Sequence, residues 1–142
     1  MTDTFEAKHK KILFPLPYPS PPDQTPVYPQ NLASLNIGRL ILLYTQYAQL
    51  VAYTVAETAK IEIDAISVKD EYDREVILRF VHSEAKSTTE RKERAKASKK
   101  VMGLSSSLSL INQDLTVLRA LSDSYKTLYF SIKSEIERRK YE

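Results

Sequence analysis

Seven cationic side chains, Lys86, Arg91, Lys92, Arg94, Lys96, Lys99 and Lys100, fall within the stretch KSTTERKERAKASKK, opposed by Glu90 and Glu93 alone. On a helix, Lys92, Lys96, Lys99 and Lys100 share one face, because residues three and four apart are neighbours. A row of ammonium groups suits a phosphate backbone, where each neutralised phosphate adds a salt-sensitive increment of affinity that ignores base sequence. The competing reading is a solvated helix surface. Glu90 can pair with Arg94 and Glu93 with Lys96, yet Lys99 and Lys100 have no acid three or four positions before them. No Tyr or Phe lies between Lys86 and Lys100, so electrostatics would dominate any strand contact there and base stacking would not.

Other chemistry finds little to work with. His9 and His82 have no Cys or His at metal-ligand spacing, and the chain has no cysteine, which excludes disulfides and thiolate metal sites. Two isolated glycines, Gly38 and Gly103, cannot build a phosphate-cradling loop. Asp70, Glu71, Asp73 and Glu75 cluster without the Gly or Asn that a calcium loop needs at its turns, which predicts a helix start there. The expectation is a protein that is not an enzyme and takes no cofactor or metal.

The elements that must position the basic stretch follow from where the helix breakers lie. All seven prolines occur at or before Pro29, leaving the rest of the chain almost free of residues that interrupt a helix. Residues 1–30 therefore read as an extended Pro-rich arm and 31–142 as one helical domain. Within the arm, ILFPLPYPSPPDQTPVYP alternates proline with large apolar residues, favouring polyproline II. Phe14, Leu16, Tyr18, Val27 and Tyr28 are candidates to fill pockets, on the helical body, on a neighbouring subunit or on a partner.

Beyond the arm, Asn31 or Ser34 can cap a first helix running over about 32–68, and a second is expected over about 70–82, with the boundary between them left open. Ile37, Ile41, Tyr44, Ala48, Val51, Val55, Ala59, Ile63 and Ile66 keep the spacing of one helical face. Leu40, Leu42, Leu43, Tyr47, Leu50 and Tyr53 make the start of this helix apolar nearly all round, which predicts self-association to cover the excess. Leu40 to Ala56 lacks charge, but Thr45, Gln46, Gln49, Thr54 and the internal tyrosines argue against a membrane span.

Ser87-Thr88-Thr89-Glu90 fits a capping box, so a short helix starts near Thr88. Gly103 is expected to end or kink it, with Ser105 to Ser107 capping a last helix that runs to about Arg139. There Leu104, Leu108, Ile111, Leu115, Leu118, Tyr125, Tyr129, Ile132 and Ile136 follow steps of three and four, with Ser122 the weak point of the seam. The predicted fold is all-α: long antiparallel amphipathic helices, coiled-coil-like, forming a hairpin or bundle.

Charge is uneven along the chain. Residues 30–75 carry four basic and seven acidic side chains, and residues 76–142 carry fourteen and eight. Within the second part, STTERKERAKASKKVMGLSSSLSLINQDLTVLRALSDSYKTLYFSIKSEIERRK, residues 87–140, resembles the phage recombination mediator (UvsY-like) family and related small helical proteins of tailed phages. The shared order is a capped short helix that closes on Lys99, Lys100 and Val101, then a long helix with the basic tail Arg138, Arg139 and Lys140. The resemblance implies a homo-oligomer that binds single-stranded DNA and helps load a strand-exchange recombinase, with a recombinase or single-strand-binding protein as partner. The Pro-rich arm departs from that pattern, as do Glu57, Glu62 and Asp64, where a DNA-binding helix would be basic.

Two functions follow as expectations. One is a non-enzymatic accessory protein of phage-type DNA recombination or replication, gripping nucleic acid through the basic stretch. The other is a structural or interaction module of a virion or scaffold, docking through the arm. The mixed charge of residues 1–11 and the proline that cuts short the following apolar run do not form a secretory signal, so the expected location is cytoplasmic, in the host if phage-encoded.

Overall fold

A computed structural model of the protein describes residues 18–142 together with Ala7. Within 18–142 the regular elements are a 3-10 turn, Leu32–Ser34, and three α-helices: α1, Ile37–Val81; α2, Thr88–Lys96; and α3, Lys99–Lys140. Among the described residues there is no strand. Two compact units divide these elements. One holds Lys60–Thr116; the other holds the described residues up to Ala59 together with Val117–Glu142, so α1 and α3 each contribute a stretch to both.

The start of α1 is set by side-chain capping. Asn31 accepts from the Ala33 amide and closes the 3-10 turn, while Asn36 Oδ1 accepts from the Arg39 amide at 2.9 Å and begins the α-helix. The cap of α1 is thus Asn36, not Asn31 or Ser34. From there the helix runs unbroken to Val81, merging the two helices expected over 32–68 and 70–82. No Gly or Pro interrupts it after Gly38, and Lys69 pairs with Asp73 at 2.8 Å across the presumed boundary. The acidic cluster Asp70, Glu71, Asp73 and Glu75 therefore lies inside a helix and starts none.

The core of the second unit is built by Leu40, Tyr47 and Ile132, all buried, with Tyr28, Leu35, Leu43, Leu50, Tyr125 and Leu128 packed around them. Full burial of side chains the size of Leu40 and Ile132 contributes about 2 kcal/mol each. Ring contacts give the direction: Tyr44 meets Tyr129 and Tyr47 meets Tyr125, so α1 numbers rise as α3 numbers fall and the pairing is antiparallel. Arg139 ties the 3-10 turn down, donating to the Leu32 and Ala33 carbonyls at 3.1 and 3.2 Å.

The seam of α3 has the predicted alternation. Val101, Leu104, Leu108, Ile111, Leu115, Leu118, Ser122, Tyr125, Tyr129, Ile132 and Ile136 are buried or half-buried, in strict steps of three and four. Gly103 ends no helix: it sits inside α3, and Ser105 to Ser107 cap nothing. The face of α1 also differs from the expected one. Leu40, Leu43, Tyr47, Leu50 and Thr54 turn inward, leaving Ile37, Ile41 and Val55 at 49%, 52% and 45% exposure. Of the expected stripe, Ile37, Ile41, Val55 and Ile66 are exposed, whereas Tyr44 packs on Tyr129 and Ala48, Val51, Ala59 and Ile63 are half-buried.

Candidate nucleic-acid interface

The basic stretch is organised by two serine caps. Ser87 Oγ accepts from the Glu90 amide at 3.1 Å and starts α2 at Thr88, as the capping box predicts. The return half of the box is not made, because the Glu90 carboxylate instead takes Arg94 at 3.2 Å. At the other end Ala97 caps α2, and Ser98 Oγ accepts from the Val101 amide at 3.2 Å to open α3. The N-cap of the last helix is thus Ser98, seven residues before the expected Ser105.

That break divides the four lysines. Lys92 and Lys96 lie one turn apart on α2, whereas Lys99 and Lys100 occupy the first turn of α3, so the expected single stripe does not form. Arg91 is half-buried and donates through Nε to the Ala85 carbonyl at 2.7 Å, which anchors the connection before α2. Lys100 reaches Glu75 at 3.4 Å, and Arg79 meets the other oxygen of the same carboxylate at 3.0 Å. The Glu75 side chain is only 10% exposed, and the Arg79 hydrogen bond, with the charge of Lys100, holds its carboxyl below the usual range against partial burial.

Three of the seven candidate cations therefore have intramolecular tasks: Arg91 as a carbonyl donor, Arg94 in an exposed ion pair, and Lys100 as a counter-ion to Glu75. Lys86, Lys92, Lys96 and Lys99 are exposed and no acidic side chain among the described residues pairs with them; Glu93 and Lys96 form no bridge. Lys99 stands at the positive end of the α3 dipole with no acid in the first turn. The small residues Ala85 and Ala95, with Val101, are buried beneath the stretch and turn its charged side chains outward.

The arm residues scatter. Phe14 and Leu16 lie outside the described residues. Tyr18 donates to Glu57 at 3.1 Å, Tyr28 packs edge-on against Tyr47 with ring centroids 6.0 Å apart, and Val27 points outward at 83% exposure. From the sequence alone Asn36 has no assigned role, Arg139 stands only in a basic tail and Glu75 reads only as part of a helix start; all three act through contacts that helix periodicity does not encode. Among the described residues no group of three or more His, Cys, Asp or Glu could hold a metal ion, and no helix is long and apolar enough to cross a membrane.

No protein-family model, no curated protein and no solved structure matches the chain. None of these comparisons bears on the resemblance to phage recombination mediators drawn from residues 87–140, to which the first helix adds length and position but little identity.

Proposed function

We propose that the protein is a non-enzymatic accessory protein of phage-type DNA recombination or replication, one that self-associates and binds single-stranded DNA around α2. The observation that carries this reading is the group Lys86, Lys92, Lys96 and Lys99, exposed around a nine-residue helix and without acidic partners among the described residues. A phosphate beside Lys99 would also meet the amide end of α3, where the dipole favours an anion. Loading of a recombinase, alone or against a single-strand-binding protein, is the further role that the resemblance implies.

The test is binding of labelled single- and double-stranded oligonucleotides over a salt series. The parent should bind at low salt with little sequence preference. Changing Lys92, Lys96 and Lys99 together to Gln should weaken binding to every sequence alike and flatten the slope of log affinity against log salt by about 2 on single strands. An unchanged slope removes the stretch as the site. The second reading, a virion or scaffold module docking through the arm, draws on the outward Val27. Absence of oligonucleotide binding by the parent at low salt puts it ahead.

A further inference from the structure

The outward face of α1 in the second unit is apolar, nearly uncharged and patterned so that it fits a reversed copy of itself. Ile37, Ile41, Thr45, Ala48, Ala52 and Val55 lie within about a quarter turn of one another, on a face the intramolecular core does not use. Ile37, Ile41, Thr45, Ala52 and Val55 are exposed and Ala48 is half-buried. Large side chains stand at the two ends of this row and small ones in its middle.

We infer that this face is a homodimer interface in which α1 pairs antiparallel with α1 of a second copy about a two-fold axis near Gln46 and Tyr47. This deepens the self-association half of the function proposed above and does not depend on nucleic-acid binding. In that register Ile37 faces Val55 of the other copy, Ile41 faces Ala52, and Thr45 faces Ala48. Each bulky residue meets a smaller one, the condition for close interdigitation of two helices. Thr45 brings no unsatisfied hydroxyl to the contact, since its Oγ donates to the Ile41 carbonyl at 3.0 Å.

Charge selects the occupant. From Ile37 to Ala56 the only charged side chain is Arg39. A nucleic acid or a strongly charged peptide has one cation to recognise there, whereas an identical neutral face has nothing to repel. The two Arg39 side chains, near opposite ends of an antiparallel pair, stand about 20 Å apart along the axis at 1.5 Å per residue. That exceeds the roughly 8 Å screening length at physiological salt, so their mutual repulsion is slight. A two-fold contact of this kind also closes on itself and leaves no repeating edge.

The experiment uses the full chain and two charge variants, Ile41→Glu and Ala52→Lys, both at exposed positions. The parent should sediment as a dimer or a multiple of one at micromolar concentration. Each variant alone should shift at least tenfold towards the smaller species. An equimolar mixture should recover the parent mass, because the introduced carboxylate of one chain then meets the introduced ammonium of the other. A parent that is monomeric, or variants that keep the parent mass, would overturn the proposal. Since the chain has no cysteine, register can be read separately by oxidation. A mixture of Ile41→Cys and Ala52→Cys chains should cross-link to mixed dimers. Links formed predominantly between two Ile41→Cys chains would mean a parallel pairing and would also overturn it. The Lys→Gln variant of the basic stretch should keep the parent mass while losing oligonucleotide affinity, so the two proposals fail in different measurements.

Discussion

Tyr44 and Tyr129 hold each other by ring and by hydroxyl: the rings stack 4.9 Å apart at 25°, and the two oxygens share a hydrogen bond of 2.7 Å. One residue comes from α1 and the other from α3, so this pair, with the Tyr47–Tyr125 contact beside it, fixes the antiparallel register of the second unit. The hydrogen bond shared with Tyr44, with some burial, raises the Tyr129 phenol above its ordinary range.

The pair predicts a non-additive double-mutant cycle. Tyr44→Phe or Tyr129→Phe alone leaves one hydroxyl without its partner and should cost about 1 kcal/mol of unfolding free energy. Both changes together should cost less than the sum, because two phenyl rings can stack without a polar group to satisfy. Urea denaturation of the three variants measures this. Strict additivity would mean that water replaces the lost partner at no cost.

The heptad of α3 is legible in the sequence because its apolar residues keep steps of three and four along the whole helix, even though Leu110, Val117 and Phe130 stand outside the seam and are exposed. The inward face of α1 is not, since Leu40, Tyr47 and Leu50 compete with Ile37, Ile41 and Val55 and periodicity cannot choose between two apolar faces. The lysines of the candidate interface are visible as a charge run. Their division is hidden because a serine hydroxyl at Ser98 ends the continuity, and because Lys100 finds Glu75, a partner far away in sequence.

Gly103 gives a direct check on the helix boundary. It lies inside α3 and a Cβ there would meet nothing within 4 Å. Gly103→Ala should therefore stabilise the protein by about 0.5–1 kcal/mol, the ordinary helix-interior difference. A thermal melt reads it, and a loss of stability would indicate that the glycine has a conformational task after all.

Glu135 supplies a pH dependence. It accepts from Arg138 Nη2 at 2.8 Å and from Arg139 Nε at 3.0 Å, and these hydrogen bonds, first Arg138's and then Arg139's, pull its carboxyl from 4.5 down to about 2. A depressed carboxyl contributes stability above its unfolded value and loses it as pH falls through the folded one. Between pH 4.5 and about 2 the parent should therefore lose more thermal stability than Glu135→Gln, whose amide does not titrate. Parallel curves for the two proteins would mean that the ion pairs are screened out in solution.

Lys99 and Lys100 are neighbours with opposite assignments, and separating them tests the whole account of the basic stretch. Lys100 faces the nearly buried Glu75 carboxylate, which Arg79 also holds; Lys99 has no such partner among the described residues. Lys100→Gln should consequently lower the melting temperature near neutral pH, because one of two cations is withdrawn from a carboxylate with little access to water. Part of that loss should disappear as Glu75 becomes protonated at low pH, since its lowered value means that the ion pair contributes above the unfolded carboxyl range and fades below it. Lys99→Gln removes a positive charge from the positive end of a helix and should leave stability unchanged or slightly improved. In oligonucleotide binding the order should reverse, with Lys99→Gln reducing the salt slope and Lys100→Gln reducing it less. If the two variants behave alike in both measurements, Lys100 is not committed to Glu75 and the stretch acts as one undivided cationic surface.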